Sequence, residues 1–156
     1  MSPVTIRRAT TQDVEVIVEF NARLAEETEN RTLNRSLLKE GVSALLKDPT
    51  KGMYFLAIEG TTAVGQLMIT TEWSDWRNGT FWWIQSVYVR GEHRGRGVFR
   101  QLYEHVLEQS KSRGDVAGLR LYVDHHNRAA QKTYKRLGMK KSEYEMYELD
   151  FVLGSP

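Results

Sequence analysis

Apolar positions along the chain change period several times, and each change marks an element. Val4 and Ile6 alternate with polar neighbours up to Arg8, the mark of a short opening strand. Thr10 or Thr11 can cap the helix that follows, whose inward face is Val14, Ile17, Val18 and Asn21 or Ala22. From Glu26 to Asn34 the chain is polar and aperiodic and reads as a loop. Leu38, Val42, Leu45 and Leu46 restore a helical period, which Asp48-Pro49 ends. Met53 to Glu59 and Ala63 to Thr71 are strand-like runs around Gly60 and predict a hairpin. An aromatic, polar loop from Trp73 to Gly79 leads to a further strand, Phe81 to Val89. Val98, Phe99, Leu102, Tyr103, Val106 and Leu107 then fall on one face of a helix running to about Arg113. Leu119 to Val123 reads as a strand, and Ala130, Thr133, Tyr134 and Leu137 as the face of a helix stopped by Gly138. Alternation at Tyr144, Met146 and Leu149 predicts closing strands. The order β-α-α-β-β-β-α-β-α-β, without repeat or linker, predicts one mixed α/β domain over residues 1–156.

The stretch from Gln85 to Leu102 carries the clearest chemistry. A buried strand runs into a basic turn, and Gly95 and Gly97 bracket Arg96 just before a helix begins. Glycines let a backbone approach a ligand, and a new helix offers unpaired N–H groups at the positive end of its dipole. Arg94, Arg96 and Arg100 add formal charge. The segment therefore suits a phosphate or pyrophosphate, the plainer alternative being a solvated basic turn. It matches neither the dinucleotide fingerprint, because Arg100 stands at the third glycine position, nor a phosphate loop ending in Gly-Lys-Ser/Thr.

Composition narrows the field. The chain has 156 residues, 40% hydrophobic and 27% charged, enough for one domain with a core. No run is long and apolar enough for a membrane span, and the N-terminus shows no signal-peptide core, so neither a membrane nor secretion is expected. The absence of cysteine excludes disulfides, thiolate nucleophiles and cysteine zinc sites, and fits a cytoplasmic protein. A net charge of +2 is too small to call for nucleic acid. The charge is unevenly spread, however. Glu26, Glu27 and Glu29 form an acidic cluster, and basic residues gather over 90–100 and 132–141. Two poles suit one anionic and one cationic ligand. His125 and His126 lack the rest of a metal-ligand set, so no metal is expected.

Val87-Tyr88-Val89 followed by Arg94-Gly-Arg-Gly-Val98 resembles the acetyl-CoA motif of the GNAT superfamily of N-acetyltransferases. Asn127-x-Ala129-Ala130, followed by Tyr134, Arg136 and Gly138, resembles its second signature. The two motifs occur in the family's order, and the predicted elements match nearly the whole chain. A weaker resemblance, through Leu24-Ala-Glu-Glu-Thr-Glu29 and Tyr134-Lys-Arg136, is to the diamine (spermidine/spermine) N-acetyltransferases. Phe99 stands where the family pattern has a small residue and is expected to crowd the pyrophosphate turn. Gln85 stands where the diamine enzymes carry a carboxylate.

The resemblance implies an α/β (α+β mixed) three-layer fold with a central mixed β-sheet, strands 4 and 5 splayed, and helices on both faces. Acetyl-CoA would lie in the splay, paired to the main chain of Val87, Tyr88 and Val89. Its pyrophosphate would sit over Arg94, Gly95, Arg96, Gly97, Val98, Phe99 and Arg100. A main-chain N–H near Val87 would stabilise the developing oxyanion. Asn127 and Ala130 would contact the CoA arm, and Asn127 is also a natural helix cap. Tyr134, two turns on, would protonate the leaving thiolate.

The acceptor amine must lose a proton, since at a pKa of about 10.4 only roughly one in 10³ is neutral at pH 7. Glu72, Glu26, Glu27 or ordered water are the candidates for taking it. Trp73, Trp83 and Gln85 would line the acceptor side together with Glu26 and Glu27. The expected reaction is direct acetyl transfer to a primary amine, with a cationic small molecule as acceptor. The alternatives are a protein N-terminus or lysine as acceptor, or an acyl-CoA-binding regulator without chemistry. A homodimer is left open.

Overall fold

The computed structural model describes residues 2–154, and the chain divides into two compact units, Met1–Leu121 and Tyr122–Pro156. The first unit is built on one sheet. Its strands are β1 (Val4–Arg8), β2 (Met53–Glu59), β3 (Thr62–Ser74), β4 (Gly79–Val89) and β5 (Val116–Arg120), and they stand in chain order across the sheet. All neighbours are antiparallel except β4 and β5. A parallel pair needs a crossover, and α3 (Val98–Arg113) supplies it.

Alternation along β2 explains why helices cover both faces. Tyr54 and Leu56 pack with Ile17, Val18 and Val42 of α1 (Val14–Glu29) and α2 (Arg35–Lys47). Phe55, one residue out of phase, meets His105 of α3 edge-on, with ring centroids 5.2 Å apart. Of the inward residues predicted for α1, Ile17, Val18, Asn21 and Ala22 are buried and Val14 is half-buried, while Phe20 and Ala25 are buried as well. Thr10 caps the turn ahead of α1 reciprocally with Asp13. Asn34 caps α2 through the N–H of Leu37.

Three boundaries differ from the periodicity reading. Helix α1 continues to Glu29, so Glu26, Glu27 and Glu29 lie on a helix and not in a loop. Strand β3 continues through Trp73 to Ser74, leaving only a 3-10 turn at Asp75–Arg77 between β3 and β4. Strand β5 covers Val116–Arg120 and stops where Leu119 to Val123 had been expected to run on.

In the second unit α4 (Arg128–Arg136) is the one helix among the described residues, and Gly138 turns the chain out of it at φ 94°. The closing strands expected from Tyr144, Met146 and Leu149 are not formed; these side chains are exposed, as are Tyr147 and Phe151. Alternation groups side chains on one face, but a strand also needs an edge that accepts its hydrogen bonds.

Candidate functional site

Strands β4 and β5 pair only from Thr80 to Trp83, the last matched residues being Trp83 and Arg120. Beyond that point β4 continues to Val89 without a β5 partner among the described residues, so the two strands splay. On its other side β4 carries a bulge. Gln66 pairs with Tyr88 and Met68 with Gln85, which leaves Ser86 and Val87 opposite the single residue Leu67. Ser86 takes the left-handed conformation at φ 51°, a position that a non-glycine residue adopts only when its surroundings hold it there.

Those surroundings are polar and buried. Gln66 donates from Nε2 to the Ser86 carbonyl at 2.9 Å, and more weakly to Asn21 Oδ1 at 3.4 Å. Asn21 donates to the Tyr54 hydroxyl and to the Ile17 carbonyl, both at 3.1 Å. Burial pushes the Tyr54 phenol above its ordinary value. No motif pointed to this group. The signal available was polarity in apolar places: Gln66 inside Val64-Gly-Gln-Leu-Met-Ile69, and Asn21 on the apolar face of α1.

After Val89 the main chain is pinned before it turns. Arg90 donates its N–H to the Val64 carbonyl and its Nε to the Ala63 carbonyl. Arg94 Nε donates to the Val89 carbonyl at 2.8 Å, while its Nη2 reaches Glu27 Oε1 at 2.7 Å. Glu27 also accepts the Tyr88 hydroxyl at 2.6 Å, and the Arg94 guanidinium lies over the Tyr88 ring. Tyr88, Glu27 and Arg94 thus clamp β4, α1 and the basic turn together.

Gly95 and Gly97 follow at φ 76° and 78°, and Gly97 caps α3 without a side-chain cap bond. A Cβ added at either glycine would meet no protein atom within 4 Å. Their requirement is therefore backbone conformation and not internal packing. Phe99 does not crowd this turn, because its ring lies toward Tyr103 one helical turn on, with centroids 6.2 Å apart. Val98 is buried under Gly65, whose added Cβ would meet Val98 Cγ1 at 3.1 Å. The first N–H groups of α3 face this open turn. Arg100 pairs with Glu104, whereas Arg96 is exposed and has no ion pair among the described residues.

The acceptor candidates are distributed unevenly. Glu72 accepts from Arg120 Nη1 at 2.7 Å and from Trp83 Nε1 at 3.2 Å. Arg120 also lies 3.6 Å from the Phe81 ring centroid. These four residues stand at the point where β4 and β5 separate. Gln85 donates to Thr70 Oγ1 across the strands. Trp73 is exposed at the far end of β3, and Glu26 is exposed on α1. Asn127, Ala130 and Tyr134 belong to the second unit. There Asn127 Oδ1 accepts the Ala130 N–H at 3.1 Å and caps α4, and burial pushes the Tyr134 phenol above its ordinary value. Among the described residues no group of three or more His, Asp or Glu could hold a metal ion. No helix is long and apolar enough to cross a membrane.

Residues 15–139 match the model of the acetyltransferase (GNAT) family. The chain belongs to that family. No curated protein matches it. Among solved structures, this GNAT chain is similar to a possible acetyltransferase from Clostridium difficile 630, at 42% identity over 96% of this chain and 98% of the other, with a TM-score of 0.89. An integron cassette protein from the mobile metagenome of Cole Harbour salt marsh matches at 25% identity over 97% and 91% of the two chains, with a TM-score of 0.81. A predicted acetyltransferase with acetyl-CoA from Clostridium acetobutylicum shares the fold, at 17% identity over 96% and 97%, with a TM-score of 0.77. The GNAT enzyme is thus an acetyltransferase by family, and its splayed mixed sheet with flanking helices is the fold that the sequence motifs implied.

The clamp makes a pH prediction. The Tyr88 hydroxyl and then the Arg94 guanidinium hold the Glu27 carboxyl below the usual glutamate range. A carboxyl depressed by folding adds stability that is complete above its unfolded value and drains away as pH falls through the folded one. Glu27 and Arg94 are both half-exposed, which limits the effect to at most about 1 kcal/mol. Glu27→Gln should therefore lower the melting temperature by about 2–4 °C at neutral pH. The gap from the parent should close as pH drops through the carboxylate range, and melting curves across pH check this.

Proposed function

We infer that this chain, acting as one GNAT domain, transfers the acetyl group of acetyl-CoA to the primary amine of a cationic small molecule. The observation that carries the reading is the unpaired edge of β4 ending in an open glycine turn. A pantetheine arm has amide groups that can take the place of the missing strand along Val87, Tyr88 and Val89. A pyrophosphate suits the clearance over Gly95 and Gly97, the first N–H groups of α3 at Val98, Phe99 and Arg100, and the exposed charge of Arg96. Acetyl-CoA supplies the activated acyl group when bound; this chain orients it and handles the protons.

The Val87 N–H lies in the bulge and is suited to bond the thioester oxygen as charge develops there. Asn127 would hold the CoA arm while capping α4, and Tyr134 would return a proton to the departing sulfur. A phenol is protonated at neutral pH, as an acid must be, and burial pushes that of Tyr134 further up. With no cysteine in the chain, direct attack by the amine is the simpler route.

Glu72 is the acceptor-side carboxylate best placed for a protonated amine, because Trp83 and Arg120 hold it where the strands part. Its exposed ion pair with Arg120 is weak enough to be exchanged for a substrate cation. Glu26, Glu27, Trp73 and Gln85 would complete that side, Glu27 by shaping it through the clamp. The test of the function is thiol release from acetyl-CoA across a panel of amines matched in length. Charged-tailed acceptors should react faster than neutral-tailed ones, and added salt should narrow the difference. Equal rates would remove the cationic acceptor and keep the transferase; binding of acetyl-CoA without release on any amine would replace the enzyme by a sensor.

Two substitutions separate cofactor binding from chemistry. Gly97→Glu places a side chain on a left-handed residue and a negative charge in the turn. It should abolish acetyl-CoA binding by calorimetry, whereas affinity within a few-fold of the parent would remove the pyrophosphate from this turn. Tyr134→Phe should leave acetyl-CoA affinity unchanged and lower turnover by roughly 10²–10⁴. Unchanged turnover would return Tyr134 to packing.

A further inference from the structure

Gln66 lies on β3, a strand for which no catalytic part is assigned at that position, and its side chain is fully buried. Such a site on an otherwise apolar strand is normally filled by an aliphatic residue. Its amide oxygen, Oε1, has no hydrogen-bond partner, while its amide nitrogen serves the Ser86 carbonyl. A carbonyl oxygen can only accept, so Ser86 fixes which way the Gln66 amide is turned. The amide thus leaves its own oxygen unpaired to hold one main-chain carbonyl. Leaving a buried acceptor unpaired is destabilising, and a residue kept only for packing would not carry that defect.

The carbonyl it holds belongs to the left-handed residue of the bulge. Residues 86 and 87 share one peptide plane, made of the Ser86 C=O and the Val87 N–H, which point in opposite directions. Drawing the Ser86 oxygen inward toward Gln66 therefore turns the Val87 N–H outward, away from the helix-covered polar cluster. Asn21 and Tyr54 steady the donor from the α1 side.

We propose that Gln66 is a positioning residue for acetyl transfer: by holding the Ser86 carbonyl, it aims the Val87 N–H at the acyl oxygen. This rests on the acetyltransferase reading given above and deepens it. Gln66 touches no reacting atom; it acts through one peptide plane. Its loss should damage the transition state more than the ground state, because an aimed N–H gains most when the oxygen becomes an anion.

The experiment compares Gln66→Met and Gln66→Glu with the parent. Gln66→Met keeps the volume and removes the donor. It should lower kcat by about tenfold to a hundredfold while the KM for acetyl-CoA stays within about threefold, the pattern of a mis-aimed transition-state contact. Gln66→Glu tests the donor by pH. A buried carboxyl titrates well above its ordinary range; protonated, it can donate to Ser86, and ionised, it repels it. The neighbouring titratable groups are the Tyr54 and Tyr88 phenols, both pushed up by burial, and Glu27 beyond Tyr88. Gln66→Glu should therefore gain rate relative to the parent as pH falls, even though lower pH protonates the amine for both. A folded Gln66→Met with parental kcat, or a Gln66→Glu that follows the parental pH trend, overturns the proposal. Should Gln66→Met not fold, the isosteric Gln66→Glu decides alone.

Amide hydrogen exchange at Val87, with and without acetyl-CoA, separates this from the function itself. A parent that turns over no amine refutes the transferase reading. Positioning by Gln66 is then judged on Val87: altered exchange or a lost acetyl-CoA response in Gln66→Met supports it, and parental behaviour overturns it.

Discussion

A strand that runs past the end of its neighbour leaves a row of main-chain donors and acceptors without partners. Among the described residues of the first unit, β3 runs past β2 after Ile69, and β4 leaves β5 after Trp83 and Arg120. Groups left this way must meet water, another chain or a ligand. Helix α3 returns the chain to a β5 that pairs with β4 only as far as Arg120, while β4 runs on to Val89. The open edge offers pairing, the bulge turns one peptide plane, and the glycine turn sits where β4 ends and α3 begins.

Around that edge the protein spends polar contacts on holding β4 still. The Ser86 carbonyl is held by Gln66 from β3, the Tyr88 hydroxyl by Glu27 from α1, and the Val89 carbonyl by Arg94 from the turn. Each contact comes from a different element, so the strand is fixed from three directions without a partner on its fourth. An open edge that flexed would offer its groups in many geometries, and ordering it on binding would cost entropy each time. Preorganisation explains why the polar residues collect on the closed side of β4.

Much of this frame was legible in the sequence. The apolar period located β2 at Met53–Glu59 without error, and it found most of the inward face of α1 but not Phe20 or Ala25. Gly95 and Gly97 marked the turn because few other reasons place two glycines two apart before an amphipathic helix. Periodicity failed where geometry depends on a partner. Leu119 to Val123 has the composition of a strand but loses its neighbour after Arg120, and Tyr144, Met146 and Leu149 alternate without an edge to join. Ser86 gave no signal at all, since serine has no preference for the left-handed region. Phe99 misled in the other direction: a large residue at a position expected to be small finds room along its own helix.

Charge was the property the sequence misrepresented most, because a formal count cannot see pairing. Glu26, Glu27 and Glu29 read as an acidic pole suited to a cation, with Glu72 as a further carboxylate on the acceptor side. In the fold Glu27 is answered by Arg94 and Glu72 by Arg120, while Asp75 accepts the Trp76 N–H at its own turn. One of the two arginines comes from the glycine turn and the other from the end of β5. These two ion pairs tie α1 to the glycine turn and β3 to the end of β5. On the proposed function, a cation that displaced Arg120 from Glu72 would leave that guanidinium over Phe81, beside the place where β4 and β5 divide. On the same reading, binding of the amine and the arrangement of charge at the splay would be one event. An acceptor that lacks the charge to compete for Glu72 would leave the ion pair closed across the mouth of the splay.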